Sequence, residues 1–250
     1  MRILIVEDEV TLAEGLAFNF QQEGYQVDLA SDGPNALIQL EQADPEFDIV
    51  ILDLMLPGMS GYEICREIRE RDVQLPILVL SARTLSEDKA QAFDAGTDQY
   101  MTKPFALPEL LSRVRNLLER RRRPDDNGTV DTPDAQFQFG NVSVDFLSFQ
   151  LTTDDDVQNL TRIEMELLKY FIKHEGMVLT RHQILRDVWG EPSEITTRST
   201  DNFVMRLRRM IEPDPAQPRY ILSVRGTGYR FVAKPDPDPT GDLPESDSGG

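Results

Sequence analysis

Five side chains with chemistry to offer stand directly after short apolar runs. Glu7 and Asp8 follow Ile3–Val6, Asp53 follows Ile49–Leu52, Ser81 follows Ile77–Leu80, and Lys103 follows Gln99–Thr102. If these runs are parallel strands of one open sheet, their carboxyl ends face one crevice, where such sheets bind ligands. Three carboxylates crowded there repel one another and attract a cation. Oxygen donors with an open face suit Mg²⁺, which keeps waters and favours phosphates. Asp53 can then attack phosphorus to form an aspartyl phosphate, with Lys103 and Ser81 binding the phosphoryl oxygens. Taken singly, an acid at a strand end is ordinarily a helix N-cap or a solvated turn residue. The joint placement of five groups carries the argument.

A second constellation lies near the other end of the chain. Along Thr197–Ile211, Thr200, Val204, Leu207 and Ile211 share one helical face. Arg198, Asn202, Met205 and Arg209 share the opposite one, with Arg206 at its edge. One side suits a core and the other a polyanion, and Arg and Asn can read base edges in a major groove. The stretch Ser223–Phe231 reads as a hairpin turning at Gly226-Thr227-Gly228 and offering Arg225 to a neighbouring minor groove. Position 231 is Phe, so this is not the third glycine of a nucleotide-binding loop.

These groups need elements to position them. Through residue 121, short apolar runs alternate with amphipathic stretches at 10–23, 33–42, 60–71, 85–95 and 107–121, which predicts an α/β domain with a parallel sheet covered on both faces. Residues 122–134, rich in Asp and Pro, read as a linker. Alternation over 136–160 predicts a small antiparallel sheet, and helices are expected at 161–175, 181–188 and 197–211. Thr161 with Glu164 forms a capping-box pattern. The domains expected are therefore 1–121 and 135–233, followed by an acidic Pro/Gly-rich tail at 234–250. The chain of 250 residues carries a formal charge of −18, one cysteine and two histidines, which leaves no disulfide framework and little scope for zinc. The acids concentrate in the first half, whereas residues 196–230 hold seven arginines against three acids. Local field outweighs the total charge, because screening acts within ~10 Å at 0.1 M salt. No apolar stretch reaches the ~18 residues of a membrane span, so a cytoplasmic location is expected.

The motifs Ile5-Val6-Glu7-Asp8-Glu9, Leu52–Gly61, Leu80-Ser81-Ala82-Arg83 and Tyr100–Phe105 resemble the receiver domain of two-component response regulators. That resemblance implies a flavodoxin-like sheet of five parallel strands and makes Asp53 the phosphoacceptor. It places Mg²⁺ on Glu7, Asp8, Asp53 and the Met55 carbonyl. It also makes Ser81 and Tyr100 the switch and the Lys103–Pro104 bond cis. Ser81 stands where Thr is commoner. The segment from Leu160 to Phe231 resembles the OmpR/PhoB winged-helix output domain. This implies DNA contacts from Arg198, Ser199, Asn202, Arg206, Arg208, Arg225 and Thr227, and a loop from Trp189 to Thr196 facing RNA polymerase or the DNA backbone. Asn202 and Phe203 depart from the Val and His of many members.

An aspartyl phosphate must bias a two-state element to act at a distance. The expected element is the 85–121 face, where Lys89, Asp98, Glu109 and Arg113 could make intersubunit pairs around Phe93 and Leu111. This matches the family's dimer face, although a relative's acid at 99 is Gln here. The expected function is a phosphorylation-dependent transcription regulator. It would be served by a sensor histidine kinase, bind promoter DNA, contact RNA polymerase and form a homodimer on phosphorylation. It would be a switch, not an enzyme that turns over metabolites. A haloacid-dehalogenase-type phosphatase would need an acid where Met55 stands. The other alternative is an interaction module with constitutive DNA binding and no phosphorylation; a complete acidic pocket argues against it.

Overall fold

The computed structural model describes residues 1–122, 136–154, 156–189 and 197–235. The expected linker, apart from Arg122, lies outside the described residues. So do residues 190–196 of the Trp189–Thr196 loop and all of the tail beyond Pro235.

The N-terminal domain runs β1 (Arg2–Val6), α1 (Val10–Gln22), β2 (Gln26–Ala30), α2 (Gly33–Gln42), β3 (Ile49–Asp53), α3 (Gly61–Arg71), β4 (Ile77–Ser81), α4 (Ser86–Asp94), β5 (Gln99–Thr102) and α5 (Leu107–Arg122). All strand pairs are parallel, in the order β2-β1-β3-β4-β5. Strands buried on both faces explain the continuous apolar runs. Ile3, Ile5, Ile49 and Ile51 pack toward Phe20 of α1 and Leu110, Val114 and Leu118 of α5. Leu4, Val6, Val50 and Leu52 face the other layer with Ile64, Cys65 and Ile68 of α3. Alternate residues of each strand thus supply the two cores.

Helix ends follow local chemistry. Ser60 and Glu63 form a reciprocal capping box that starts α3. Asp32 accepts from the Asn35 N–H at the start of α2. The N-terminus of α4, at Leu85, has no side-chain cap.

The C-terminal domain opens with an antiparallel sheet of β6 (Gln136–Phe139), β7 (Val142–Asp145), β8 (Gln150–Thr152) and β9 (Val157–Asn159). Helix α6 (Arg162–Lys173) follows, with Glu164 bonded back to the Thr161 N–H and hydroxyl at 2.8 Å each. Next come β10 (Val178–Thr180) and α7 (Arg181–Ile184), which passes into a π-helical turn over Leu185–Trp189. Helix α8 (Thr197–Ile211), β11 (Ile221–Val224) and β12 (Gly228–Phe231) complete the domain. The anticipated hairpin has a third strand beside it, giving the order β10-β12-β11. Gly226 turns the hairpin at φ +73°, a left-handed conformation suited to glycine. Among the described residues no helix is long and apolar enough to cross a membrane.

The two domains touch. Helix α4 packs against α8, and the Phe93 and Phe203 rings meet edge-on with centroids 5.1 Å apart.

Candidate functional site

The strand ends bring all five expected groups to one place. Glu7 and Asp53 are buried, Asp8 is exposed, and one carboxylate oxygen from each lies within 4.8 Å of the others. The Lys103 ammonium donates to Asp53 Oδ2 at 2.5 Å and to Glu7 Oε2 at 2.7 Å. Asp53 Oδ1 accepts from the Met55 N–H at 2.8 Å, which puts the Met55 backbone at the pocket wall. Burial raises the Glu7 pKa, opposed by Lys103. Burial lowers that of Lys103, but its bonds to Asp53 and Glu7 outweigh this and raise it overall. The donor set suits a hard divalent cation: three carboxylates, one of them solvent-facing, beside a single ammonium.

Close backbone approach fixes the end of β3 at Asp53. A Cβ at Gly61 would lie 2.5 Å from the Asp53 carbonyl oxygen, so only glycine lets α3 start this close to β3. Ser81 is fully buried and its Oγ accepts from the Arg83 N–H at 3.2 Å. Tyr100 is buried, its hydroxyl donating to the Arg83 carbonyl at 2.8 Å, and burial raises its pKa. Arg83 also pairs with Asp88 of α4 at 2.8 Å. The Lys103–Pro104 peptide is cis, as the resemblance implied. A second cis bond, Asp44–Pro45, has no counterpart in the sequence reading.

Several residues of the expected dimer face are engaged within the chain. Asp98 is 3% exposed and accepts from Arg69 Nη2 at 2.7 Å and from the Ile77 N–H at 2.8 Å. Burial raises its pKa against the pull of Arg69. Arg113 is also 3% exposed, pairing with Glu109 at 2.6 Å one turn back on α5 and donating to Gln99 at 3.4 Å. Phe93 is covered by Phe203 and is not an open apolar centre. Lys89 lies over the Tyr100 ring at 5.7 Å, and Leu111 is half-buried.

The DNA-facing set divides in the same way. Arg225 and Thr227 are exposed at the hairpin turn, and Asn202 is half-buried on α8. Arg198 and Ser199 lie on α8, but their side chains fall outside the described residues. Arg208 requires a correction. It is 7% exposed and donates to the Ile221 carbonyl and to Ser223 Oγ, bracing α8 against β11. The reason is helical period: position 208 follows Val204 by four and precedes Ile211 by three, so it shares the core face. Arg206, at the edge of the outer face of α8, is engaged from both domains. It donates to the Phe93 carbonyl and pairs with Glu164 at 2.6 Å.

Three further contributors were missed. Glu212 accepts from the N–H groups of Arg219, Tyr220 and Ile221, fixing the end of α8 to β11. Asp201 joins Arg181 and Tyr229 at 2.7 and 2.6 Å, tying α7, α8 and the hairpin together. Glu164 was read only as a cap; no sequence signal pointed to its second role.

A phosphoryl-accepting α/β pocket joined to a winged helix defines the response regulators. Comparison with known proteins agrees: residues 3–115 match the response regulator receiver domain, and residues 155–231 match the C-terminal domain of transcriptional regulatory proteins. Sensory transduction protein RegX3 of Mycolicibacterium smegmatis is 40% identical over 229 residues, covering 92% of this chain and 98% of that one. Response regulator MprA of Mycolicibacterium vanbaalenii is 41% identical, covering 92% and 96%. A solved structure of a RitR mutant, with serine in place of a cysteine, is similar with a TM-score of 0.72 at 27% identity, covering 92% of this chain and 98% of that one. The chain belongs to the OmpR/PhoB family of two-component response regulators.

Proposed function

We propose that Asp53 takes a phosphoryl group from a phosphohistidine of a sensor histidine kinase and so controls binding of promoter DNA. In that transfer the histidine N–P bond breaks, an Asp53 O–P bond forms, and the imidazole leaves in its neutral form. The reading rests on the pocket geometry: a buried aspartate, two further carboxylates within ligand reach, and an ammonium 2.5 Å away. Glu7, Asp8, Asp53 and the Met55 carbonyl would hold Mg²⁺. When bound, it offsets the charge between nucleophile and phosphoryl oxygens. Lys103 exchanges its bond to Asp53 for one to a phosphoryl oxygen, and Ser81 supplies a further donor. Met55 stands where an external-phosphoester hydrolase would need its acid, so the chain is a switch and not an enzyme with turnover.

In this reading promoter DNA meets Arg198, Ser199, Asn202 and Arg206 of α8 and Arg225 and Thr227 of the hairpin. The phosphorylated protein dimerises through the 85–121 face and engages RNA polymerase, all in the cytoplasm. Acid-labile labelling by phosphoramidate with Mg²⁺ tests the core of this. Asp53→Ala is expected to abolish labelling, and chelation of Mg²⁺ to do the same to the wild type. Equal labelling of the variant and the wild type would overturn the assignment.

A further inference from the structure

The β11–β12 hairpin, the wing, carries cations that its own domain does not answer. Strand β12 sets Arg230 between Val178 of β10 and Leu222 of β11, its direct partners on either side. Residues opposite one another on paired strands share a face of the sheet. On that face Val178 and Arg230 are exposed and Leu222 is half-buried. Arg225 is exposed at the turn of the same hairpin. Among the described residues no ion pair reaches Arg225 or Arg230. The acids nearest in sequence are engaged elsewhere: Asp201 with Arg181 and Tyr229, Glu212 with backbone N–H groups, and Asp214 with the Ala216 N–H. The opposite charge follows in the chain. Residues 236–250 hold Asp236, Asp238, Asp242, Glu245 and Asp247, one large apolar side chain, Leu243, and no Lys or Arg. The family match ends at residue 231, so these acids belong to this chain and not to the matched domain. We propose that this acidic segment docks on the wing of its own chain, carboxylates on Arg230 and Arg225 and Leu243 along Val178 and Leu222, and competes there with DNA phosphates.

The segment has the reach. The chain leaves the foot of the sheet where the Val232 N–H donates to the Tyr220 carbonyl and the Ala233 N–H to Glu175 Oε1. At up to ~3.6 Å per residue, Arg230 lies within about 18 Å of Pro235, and Asp242 can extend about 25 Å from it. Arg225 lies within about 36 Å, and Asp247 can extend about 43 Å. Prolines at 235, 237, 239 and 244 remove backbone N–H donors, so the segment is ill suited to pair as a further strand on the open edge of β10. Its carboxylates are what it offers. Tethering raises their effective concentration to the mM range, which lets individually weak surface pairs act together. Competition of this kind weighs most on sequence-independent binding, which rests almost wholly on phosphate contacts. Only the effect on DNA rests on the reading of the wing as a DNA contact; the docking does not.

The test compares the full chain with a full-length variant carrying Asp236→Asn, Asp238→Asn, Asp242→Asn, Glu245→Gln and Asp247→Asn. The NMR resonances of the Arg225 and Arg230 Nε–H groups should differ between the two proteins and stay constant on dilution. Identical resonances would overturn the docking. Differences lost on dilution would overturn its intramolecular form and put the segment on a second copy. Affinity for a fluorescein-labelled mixed-sequence DNA duplex should tighten about fourfold in the variant if roughly three wings in four are covered. That gain should shrink between about 50 and 200 mM salt, as exposed ion pairs are screened. Tighter DNA binding with unmoved arginine resonances would mean repulsion at a distance and would also overturn the docking. Shifted resonances with unaltered affinity would refute the competition. Failure of both proteins to bind the duplex would sink the reading of the wing as a DNA contact, while the resonances still judge the docking.

Discussion

The Asp53 pocket and the outward face of α8 both present charged side chains that sequence patterning singles out, yet they stand in opposite states. In the pocket, Lys103, Glu7, Asp8 and Asp53 are assembled at the strand ends, with Asp8 facing solvent. On α8, Arg206 is held by Glu164 and by the Phe93 carbonyl, and Arg208 is turned into the domain. The strand-end carboxylates and their lysine are already assembled, whereas the basic face of α8 is partly engaged by internal contacts. On the proposed reading, the input is ready and the output conditional. A two-state element needs both features before a local charge change can have a distant effect.

The sharpest way to break this contrast is to disable the input alone. Lys103→Ala should slow phosphoramidate labelling of Asp53 by ~10²–10³-fold, the usual loss of one preorganised electrostatic donor. Rates timed against the wild type check it, and an unchanged rate would mean that the ammonium only balances charge in the resting pocket.

On the output side, two arginines of one domain should separate cleanly. Arg208→Ala should cost ~1.5–3 kcal/mol of stability, because it strips charged hydrogen bonds from Ile221 and Ser223. Urea unfolding of the C-terminal domain measures this. Arg225→Ala should leave that unfolding unchanged and lower the salt slope of duplex binding by about one. Equal destabilisation by both would erase the distinction between brace and contact.

The smallest effect concerns pH. Burial, with a bond to Asp201, pushes Tyr229 up to about 12, and burial with Asp187 does the same to Tyr170. An unfolded tyrosine releases its proton near its ordinary value of 10, whereas the folded domain retains both. Above that value the unfolded state binds fewer protons, so stability falls as pH rises from 10 toward 12. Tyr229→Phe should flatten part of that slope in thermal unfolding followed across the window.

Much of the architecture was legible because burial on both faces of a parallel sheet leaves continuous apolar runs. Four of the five strands and all five helices of the N-terminal domain fall within about two residues of the spans given above. The strand β10 was not legible: three residues are too few for a period to show, and its pairing with β12 is a long-range event. The pocket was readable because a parallel strand delivers its following residue to one edge, whatever surrounds it. Arg208 was assigned to DNA by the resemblance alone; Val204 and Ile211, four residues before it and three after, lie on the buried face that it shares. Asp98 and Arg113 could not be judged from sequence at all. Their exposure depends on Arg69 arriving from α3 and on Glu109 one turn away.

By itself the sequence determined two domains, the strand-end carboxylates with their lysine, and a helix with one apolar and one basic face. These follow from local period and from side-chain chemistry that needs no distant partner. Tertiary structure alone decided that Phe93 meets Phe203 and that Arg206 closes on Glu164. Phe93 and Phe203 lie in different domains and Arg206 and Glu164 on different helices of one domain, and no local pattern encodes which surface will cover which.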